Sequence, residues 1–380
     1  MTCLEYLAGK FKILSPEVRV YVGVLILIAV GQIAFTAAMN GFTTFPDTPQ
    51  YVETVKWYMD GSGAEIPLRI QRPLEIFMVM VFEPLLGITS SMALVNSLLY
   101  IASVPFFFSF ARKLVKDDRT AFVSTILFSS SFCVLYWGLG LLTDMLTWFL
   151  LCISFDFLAD FALDFKTKDA YKIAAVVGIG MLNKEGMIAV AIVMFFIILA
   201  KGLKERKEPL LKLFRFVPPL AISVVPFLLM QLAIYMYFGP GHSFFDYHLT
   251  HNVVDVKGAI WYLPLTFLIA FNMMLVMFAL GVKRFVKSKN PLSGWYYLMA
   301  LAVCIIPIVA FENYSPRLSF FIFPLLIPPA AIGLMGLIKW FRWVDPKYLL
   351  WAFIIAYIVL NNAVALFGDD IRSLLGIWSR

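Results

Sequence analysis

Apolar runs long enough to cross a bilayer recur along almost the whole chain and leave few alternative folds. A membrane-spanning helix needs roughly 20 apolar residues. The sequence offers eleven such segments: 18–39, 74–88, 91–111, 120–138, 143–162, 171–200, 216–238, 259–281, 294–311, 318–338 and 348–367. The segment 74–88 is the weakest. The segment 171–200 reads either as one broken helix or as a hairpin turning near Asn183–Glu185, in which case 74–88 becomes a half-inserted helix and the total stays at eleven. Of the 380 residues 61% are hydrophobic and 14% charged, against about 25% charged in an ordinary soluble domain. That excess of apolar residues cannot be hidden in a water-soluble core. The expectation is an all-α polytopic membrane protein forming a single domain over 1–380, with no separate soluble domain.

Lys and Arg set the orientation. With the N-terminus cytoplasmic, 23 of the 31 basic residues fall on cytoplasmic segments, and the C-terminus emerges outside. The net charge of +7 therefore belongs to those loops and is no nucleic-acid footprint. The outer side carries the loop 40–72, the loop 239–258 with all three histidines, and the turn Glu312–Arg317. Cys3 lies in the N-terminal tail, and Cys133, Cys152 and Cys304 lie within spans, so no structural disulfide is expected. The first apolar run exceeds a signal-peptide h-region and is expected to stay as an anchor.

The loop after the first span carries FPDTPQY (Phe45–Tyr51) and IQRPLE (Ile70–Glu75). A carboxylate such as Asp47, fixed in a proline-rich turn at the lipid–water boundary, can be aligned as general base for an acceptor hydroxyl. Its ordinary pKa of about 3.9 is low for a base, and an apolar rim is expected to raise it. Asp-Thr-Pro is equally a common turn or helix N-cap. Arg72, with Arg69 one turn earlier, precedes Pro73 at a helix start. A guanidinium there can grip a phosphate bidentately or anchor the helix at the interface.

Lys184 and Glu185 interrupt an apolar stretch, and charges at membrane depth are costly. They either face an outer cavity from the tip of a turn or pair with each other. Arg317, in ENYSPR, is a second candidate phosphate ligand, and kinks at Pro324, Pro328 and Pro329 are expected to open a lateral groove for a lipid tail. Asp144 is read as an N-cap or as cavity lining. His248 and His251 have an i, i+3 spacing that can hold zinc, but no Cys or HExxH context accompanies them. Substrate contact, proton relay or an ordinary loop role fits these histidines better.

Taken in order, these elements resemble the GT-C glycosyltransferase superfamily, and most of all its branch of protein O-mannosyltransferases and lipid A aminoarabinose transferases. The resemblance implies Asp47 as the base, Tyr51 at the family's aromatic position, and Arg72-Pro73-Leu74 as the basic-proline element that holds the lipid phosphate. It implies Lys184 in LNKEG as the Lys-containing tip, FFDYHLTH with His248 as the outer-loop segment after the seventh span, and Pro316-Arg317 as the late Arg element. Arg69, Asp144, Glu185, His251 and Glu312 join Tyr51 and His248 as expected lining of the substrate cavity. Thr48 after Asp47 and Gln71 before Arg72 depart from the family pattern, and no DxD motif is present.

The activity implied is inverting transfer of a sugar from a polyprenyl-phosphate donor, dolichyl or undecaprenyl, to a hydroxyl of a protein, glycan or lipid. The Lys and Arg bias places the site on the outer face, and the expectation of no disulfide and no large outer domain points to a prokaryotic plasma membrane. No metal or other cofactor is required, because cationic side chains can neutralise the leaving phosphate. The rival class is a transporter or lipid flippase, which would favour inverted repeats and midplane charges. No repeat is evident, and the candidate polar groups gather on one face apart from Asn272, Asp156 and Asp160.

Overall fold

The computed structural model describes residues 15–39, 41–61, 69–204, 210–239, 242, 267–268, 270–288, 290–310, 316–341 and 343–367. Every regular element among them is helical. Seven helical segments are long and apolar enough to cross a membrane: Pro16–Met39, Ile88–Val115, Asp144–Asp164, Glu185–Gly202, Leu213–Phe238, Phe323–Trp340 and Pro346–Leu366. The chain is thus a multi-pass, all-α integral membrane protein.

Helix α1 (Pro16–Met39) leads through residues 41–47 into the short amphipathic α2 (Thr48–Asp60). Helix α3 (Pro73–Leu86) has 14 residues, matching the weak segment of the sequence. Gly87, at φ 73°, turns it sharply into α4 (Ile88–Val115), a conformation that costs glycine nothing. The expected span 120–138 is interrupted. Helix α5 (Asp118–Ser129) stops, a π-helical turn follows at Val134–Gly138, and α6 (Asp144–Asp164) starts afresh.

Irregular backbone inside a membrane protein must find polar partners within the protein, and here it does. Asn96 Nδ2 donates to the carbonyls of Gly140 and Leu142 at 2.6 and 3.0 Å. Tyr100 donates to Ser129 O at 2.7 Å, and Asn361 Oδ1 accepts from Phe132 N at 2.8 Å. The break forms a ledge to which the first loop is fastened. Leu141 N donates to Thr43 O at 2.9 Å, and Thr48 Oγ1 donates to Leu141 O at 2.9 Å.

The segment 171–200 is two helices, α7 (Thr167–Met181) and α8 (Ile188–Lys204), parted by extended Lys184 (φ −147°, ψ 125°) and a short 3-10 turn at Glu185–Met187. Lys201 Nζ donates at 3.5 Å to Leu163 O, next to the start of α7. The pair is therefore a hairpin with residues 183–187 at its tip. After a 3-10 turn at Leu210–Phe216 come α9 (Val217–Phe238), α10 (Met273–Val286), α11 (Trp295–Ala310), a 3-10 turn at Pro316–Phe321, α12 (Phe323–Trp340) and α13 (Pro346–Leu366).

Lipid supplies no hydrophobic drive between helices, so they associate through close packing and hydrogen bonds. Helices α10 and α12 approach most closely at Gly281 and Gly333, where a Cβ on either would collide with the partner's backbone. Pro324, Pro328 and Pro329 are all buried, and the Pro329 carbonyl packs against Gly281. Pro329 thus lies where α12 meets α10. Asp156 and Asp160 both pair with Lys113, at 2.6 and 2.8 Å, at the end of the bundle where α4 finishes.

Candidate functional site

Asp47 occupies the N-cap position of α2, yet its side chain makes no capping hydrogen bond. Thr48 braces the turn instead, its hydroxyl accepting from Phe45 N at 2.8 Å. The Asp47 carboxylate is left to face two arginines. Arg69 Nη2 lies 3.0 Å from Oδ1, and both Nη atoms of Arg317 lie 3.2 Å from Oδ2. Burial alone would push this carboxyl up, but Arg69 and Arg317, reinforced by the hydrogen bond from Arg317, hold it below the usual carboxylate range. The expected upward shift is therefore reversed, because the rim is cationic.

Tyr51 stands one turn further along α2 and is 1% exposed. Its phenol oxygen accepts from Arg72 Nη1 and from Thr143 Oγ1, each at 3.1 Å. Burial would raise the phenol pKa, yet Arg72, Arg69 and Arg317 together bring it below its ordinary value. Arg69 crosses the Tyr51 ring at 5.5 Å and donates to Gln50 Oε1 at 2.8 Å.

Arg72 caps α3 in front of Pro73, and its Nη2 lies 3.7 Å from Glu185 on the hairpin tip. The neighbouring Lys184 pairs with Asp144 at the start of α6 and lies over the Phe320 ring at 5.2 Å. The tip is pinned by Asn183, which donates to Thr143 O and Thr147 Oγ1 at 2.9 Å each. Gly186 sits where a Cβ would strike the Phe321 ring, so the tip and the turn carrying Arg317 are in direct contact.

The predicted residues Asp47, Tyr51, Arg69, Arg72, Asp144, Lys184, Glu185 and Arg317 thus converge at one end of the bundle. Lys184 and Glu185 do not pair with each other; each takes a partner from another element. Asp144 is neither an N-cap nor open lining. It is the first residue of α6, 1% exposed, and serves Lys184. His248, His251 and Glu312 lie outside the described residues. Among the described residues, no three His, Cys, Asp or Glu side chains gather as a metal cluster.

Sequence reasoning missed Glu75, which is fully buried in the first turn of α3 within electrostatic reach of Lys184. Its signal was its place three residues after Arg72. It also missed Thr143, whose hydroxyl reaches Tyr51, and Gln50, which orients Arg69. Arg69 and Arg317 flank the Asp47 carboxylate and Arg72 the Tyr51 phenol, while Lys184 is held by Asp144 and Arg72 also faces Glu185. Chemically, that is a site for an anion beside a proton acceptor.

Residues 76–237 match the family model of dolichyl-phosphate-mannose-protein mannosyltransferases. No curated protein matches the sequence significantly. Among solved structures, ArnT from Cupriavidus metallidurans in the apo state aligns with a TM-score of 0.62 at 13% identity, over 93% of this chain and 72% of that one. The same protein bound to undecaprenyl phosphate gives 0.59 at 15% identity, over the same shares of 93% and 72%. The archaeal oligosaccharyltransferase AglB from Archaeoglobus fulgidus, in complex with an inhibitory peptide and a dolichol-phosphate, gives 0.57 at 11% identity, over 93% of this chain and 56% of that one. The chain therefore has the fold shared by ArnT and AglB, and its residues 76–237 resemble the mannosyltransferase family.

Proposed function

We propose that this protein transfers a sugar, with inversion, from a polyprenyl-phosphate donor to an acceptor hydroxyl, using Asp47 as general base. The observation that carries the reading is the Asp47 carboxylate held between Arg69 and Arg317, at 3.0 and 3.2 Å, with Arg72 one side chain away across Tyr51. Solved proteins of the same fold hold undecaprenyl phosphate and dolichol-phosphate, which supports a lipid phosphate as the anion.

In the proposed reaction the donor phosphate enters among Arg72, Arg317 and Arg69, with Lys184 behind them. The arginines turn from Asp47 to the phosphate, and charge-assisted contacts of this kind are strong where water is scarce. The freed carboxylate accepts the proton of the acceptor hydroxyl. That oxygen bonds to the anomeric carbon as the carbon–phosphate-oxygen bond breaks, and the electron pair leaves with the lipid phosphate. The cations neutralise the new charge on the leaving group. No cofactor enters this scheme. The acceptor is a hydroxyl of a protein, glycan or lipid, and the site faces the outside of a prokaryotic plasma membrane, the side with fewer Lys and Arg. A transporter is the weaker reading, since the ionic groups named here form one cluster at one end of the bundle and not a track through it.

The test is Asp47→Asn assayed with polyprenyl-phosphate sugars. Loss of a positioned base costs about 10²–10⁴-fold in turnover, while lipid-phosphate binding should persist. Near wild-type turnover in a folded Asp47→Asn protein would falsify the assignment of the base.

A further inference from the structure

A cavity opens at the other end of the bundle, and the proposed reaction makes no use of it. It has a volume of about 680 Å³ and lies between the start of α1 (Glu17, Tyr21), the α4–α5 turn (Lys116 to Arg119) and the first turns of α13 (Lys347, Trp351). Helix α1, with its 24 residues, separates it from Asp47, a rise of roughly 36 Å.

The acids on its wall are already engaged. Glu17 accepts from the Tyr21 hydroxyl at 3.0 Å, Asp117 caps α5 by accepting from Thr120 N at 2.8 Å, and Asp118 pairs with Arg112 at 2.6 Å. The cations are not. Among the described residues, Lys116, Arg119 and Lys347 have no side-chain hydrogen bond or ion pair. Lys116 is held in place by a left-handed backbone at φ 55°, uncommon for a residue with a side chain. The floor is aromatic and apolar: Tyr21 packs on Phe122 at 4.8 Å, and Phe122 on Trp351 at 6.5 Å. Close by, Trp340, Trp343 and Tyr348 are 73%, 96% and 71% exposed. Exposed Trp and Tyr of this kind mark the headgroup level of a bilayer.

Three uncommitted cations over an aromatic floor, at headgroup level, fit an anionic amphiphile. Basic pockets between membrane helices recognise phosphate-bearing lipid headgroups. We propose that this cavity binds the phosphate of an anionic membrane phospholipid, with Lys116, Arg119 and Lys347 as its ligands and the glycerol and upper chain against Phe122 and Trp351. The inference is independent of the transferase reading, because the two sites lie at opposite ends of α1.

The experiment is native mass spectrometry of the full chain in mild detergent, with phosphatidylglycerol or phosphatidylcholine added, for wild type and K116Q/R119Q/K347Q. Each basic side chain contributes about fivefold to attraction for anionic lipid, so the triple variant should hold phosphatidylglycerol roughly 100-fold more weakly. Wild type should prefer it over phosphatidylcholine. Equal retention by the two proteins overturns the proposal, as does equal retention of the two lipids by wild type. Displacement of phosphatidylglycerol by millimolar inorganic phosphate assigns the cavity to a soluble phosphate and overturns the lipid. Should the triple variant not fold, Lys347→Gln alone gives the same comparison at about fivefold.

Discussion

Arg317 reaches Asp47 across 270 residues of sequence and sets both terminal guanidinium nitrogens 3.2 Å from one carboxylate oxygen. Arg69 holds the other oxygen at 3.0 Å. The ligand-free carboxylate is therefore ionised but occupied. A phosphate entering the site would compete for the same guanidiniums, so donor binding and exposure of the base become one event.

The pH response follows from that contact. The cations hold the Asp47 carboxyl low, so its contribution to stability is present above the unfolded value of about 3.9 and fades as pH falls through the lower folded value. The acid limb of kcat/KM reports the free enzyme, and in wild type it should lie below about pH 4. Arg317→Gln removes one of the two closest cations, so the limb should move to higher pH. A limb that stays in place in Arg317→Gln would mean that another group sets it.

Arg72 and Tyr51 should separate charge from hydrogen bonding. Hydrogen bonds to charged groups contribute about 1.5–3 kcal/mol, so Arg72→Ala should weaken polyprenyl-phosphate binding by roughly 10- to 100-fold. Tyr51→Phe keeps the guanidinium but leaves Arg72 and Thr143 without their acceptor, so stability should drop by about 1 kcal/mol with a smaller change in affinity. Titration of both variants with the lipid phosphate checks the order. Equal losses of affinity would show that Arg72 and Tyr51 act on the anion as one unit, and would overturn the separation of charge from hydrogen bonding.

The Lys184–Asp144 pair is buried on both sides, its side chains 7% and 1% exposed. Removing one partner of such a pair costs about 3–5 kcal/mol. Lys184→Met should therefore lower the unfolding midpoint in detergent markedly, and Lys184→Met combined with Asp144→Asn should recover part of the loss. A double variant as unstable as the summed singles would show that the two side chains are not coupled.

Gly186 offers a test of the path from the hairpin tip to Arg317. A methyl group there meets the Phe321 ring, and overpacking of this kind costs about 1–3 kcal/mol. Gly186→Ala should shift the turn at Pro316–Phe321 and move the acid limb of kcat/KM in the same direction as Arg317→Gln. Adding Phe321→Leu should restore it. A loss of stability with no movement of the limb would leave the tip a purely packing role.

The helical bundle was legible because each span spells itself out in about 20 apolar residues. Expected bounds such as 216–238 and 18–39 fall within two residues of α9 and α1. The break at 130–143 was not legible. Ser129–Ser131 and the glycines of GLGLL are weak signals beside a continuous apolar run. The members of the candidate site were legible one at a time, from charge placed next to proline or inside apolar sequence. Their pairings were not, since no local rule joins residue 317 to residue 47 or residue 184 to residue 144. The direction of the Asp47 shift failed for the same reason: an apolar rim was inferred from neighbours in sequence, while the neighbours in space are arginines.

The ledge at Leu141 has one further consequence. It grips the first loop through its own amide and carbonyl, 2.9 Å from Thr43 O and from Thr48 Oγ1. Such a clasp is indifferent to which side chain stands at 141. The Leu141 side chain is buried in the core, so its size is limited by packing, while its hold on the loop depends only on its backbone amide and carbonyl. Proline is the exception, since it alone lacks the amide hydrogen. The anchorage of the base thus rests on one bond written wholly in the main chain, Leu141 N to Thr43 O, and one that needs the Thr48 hydroxyl.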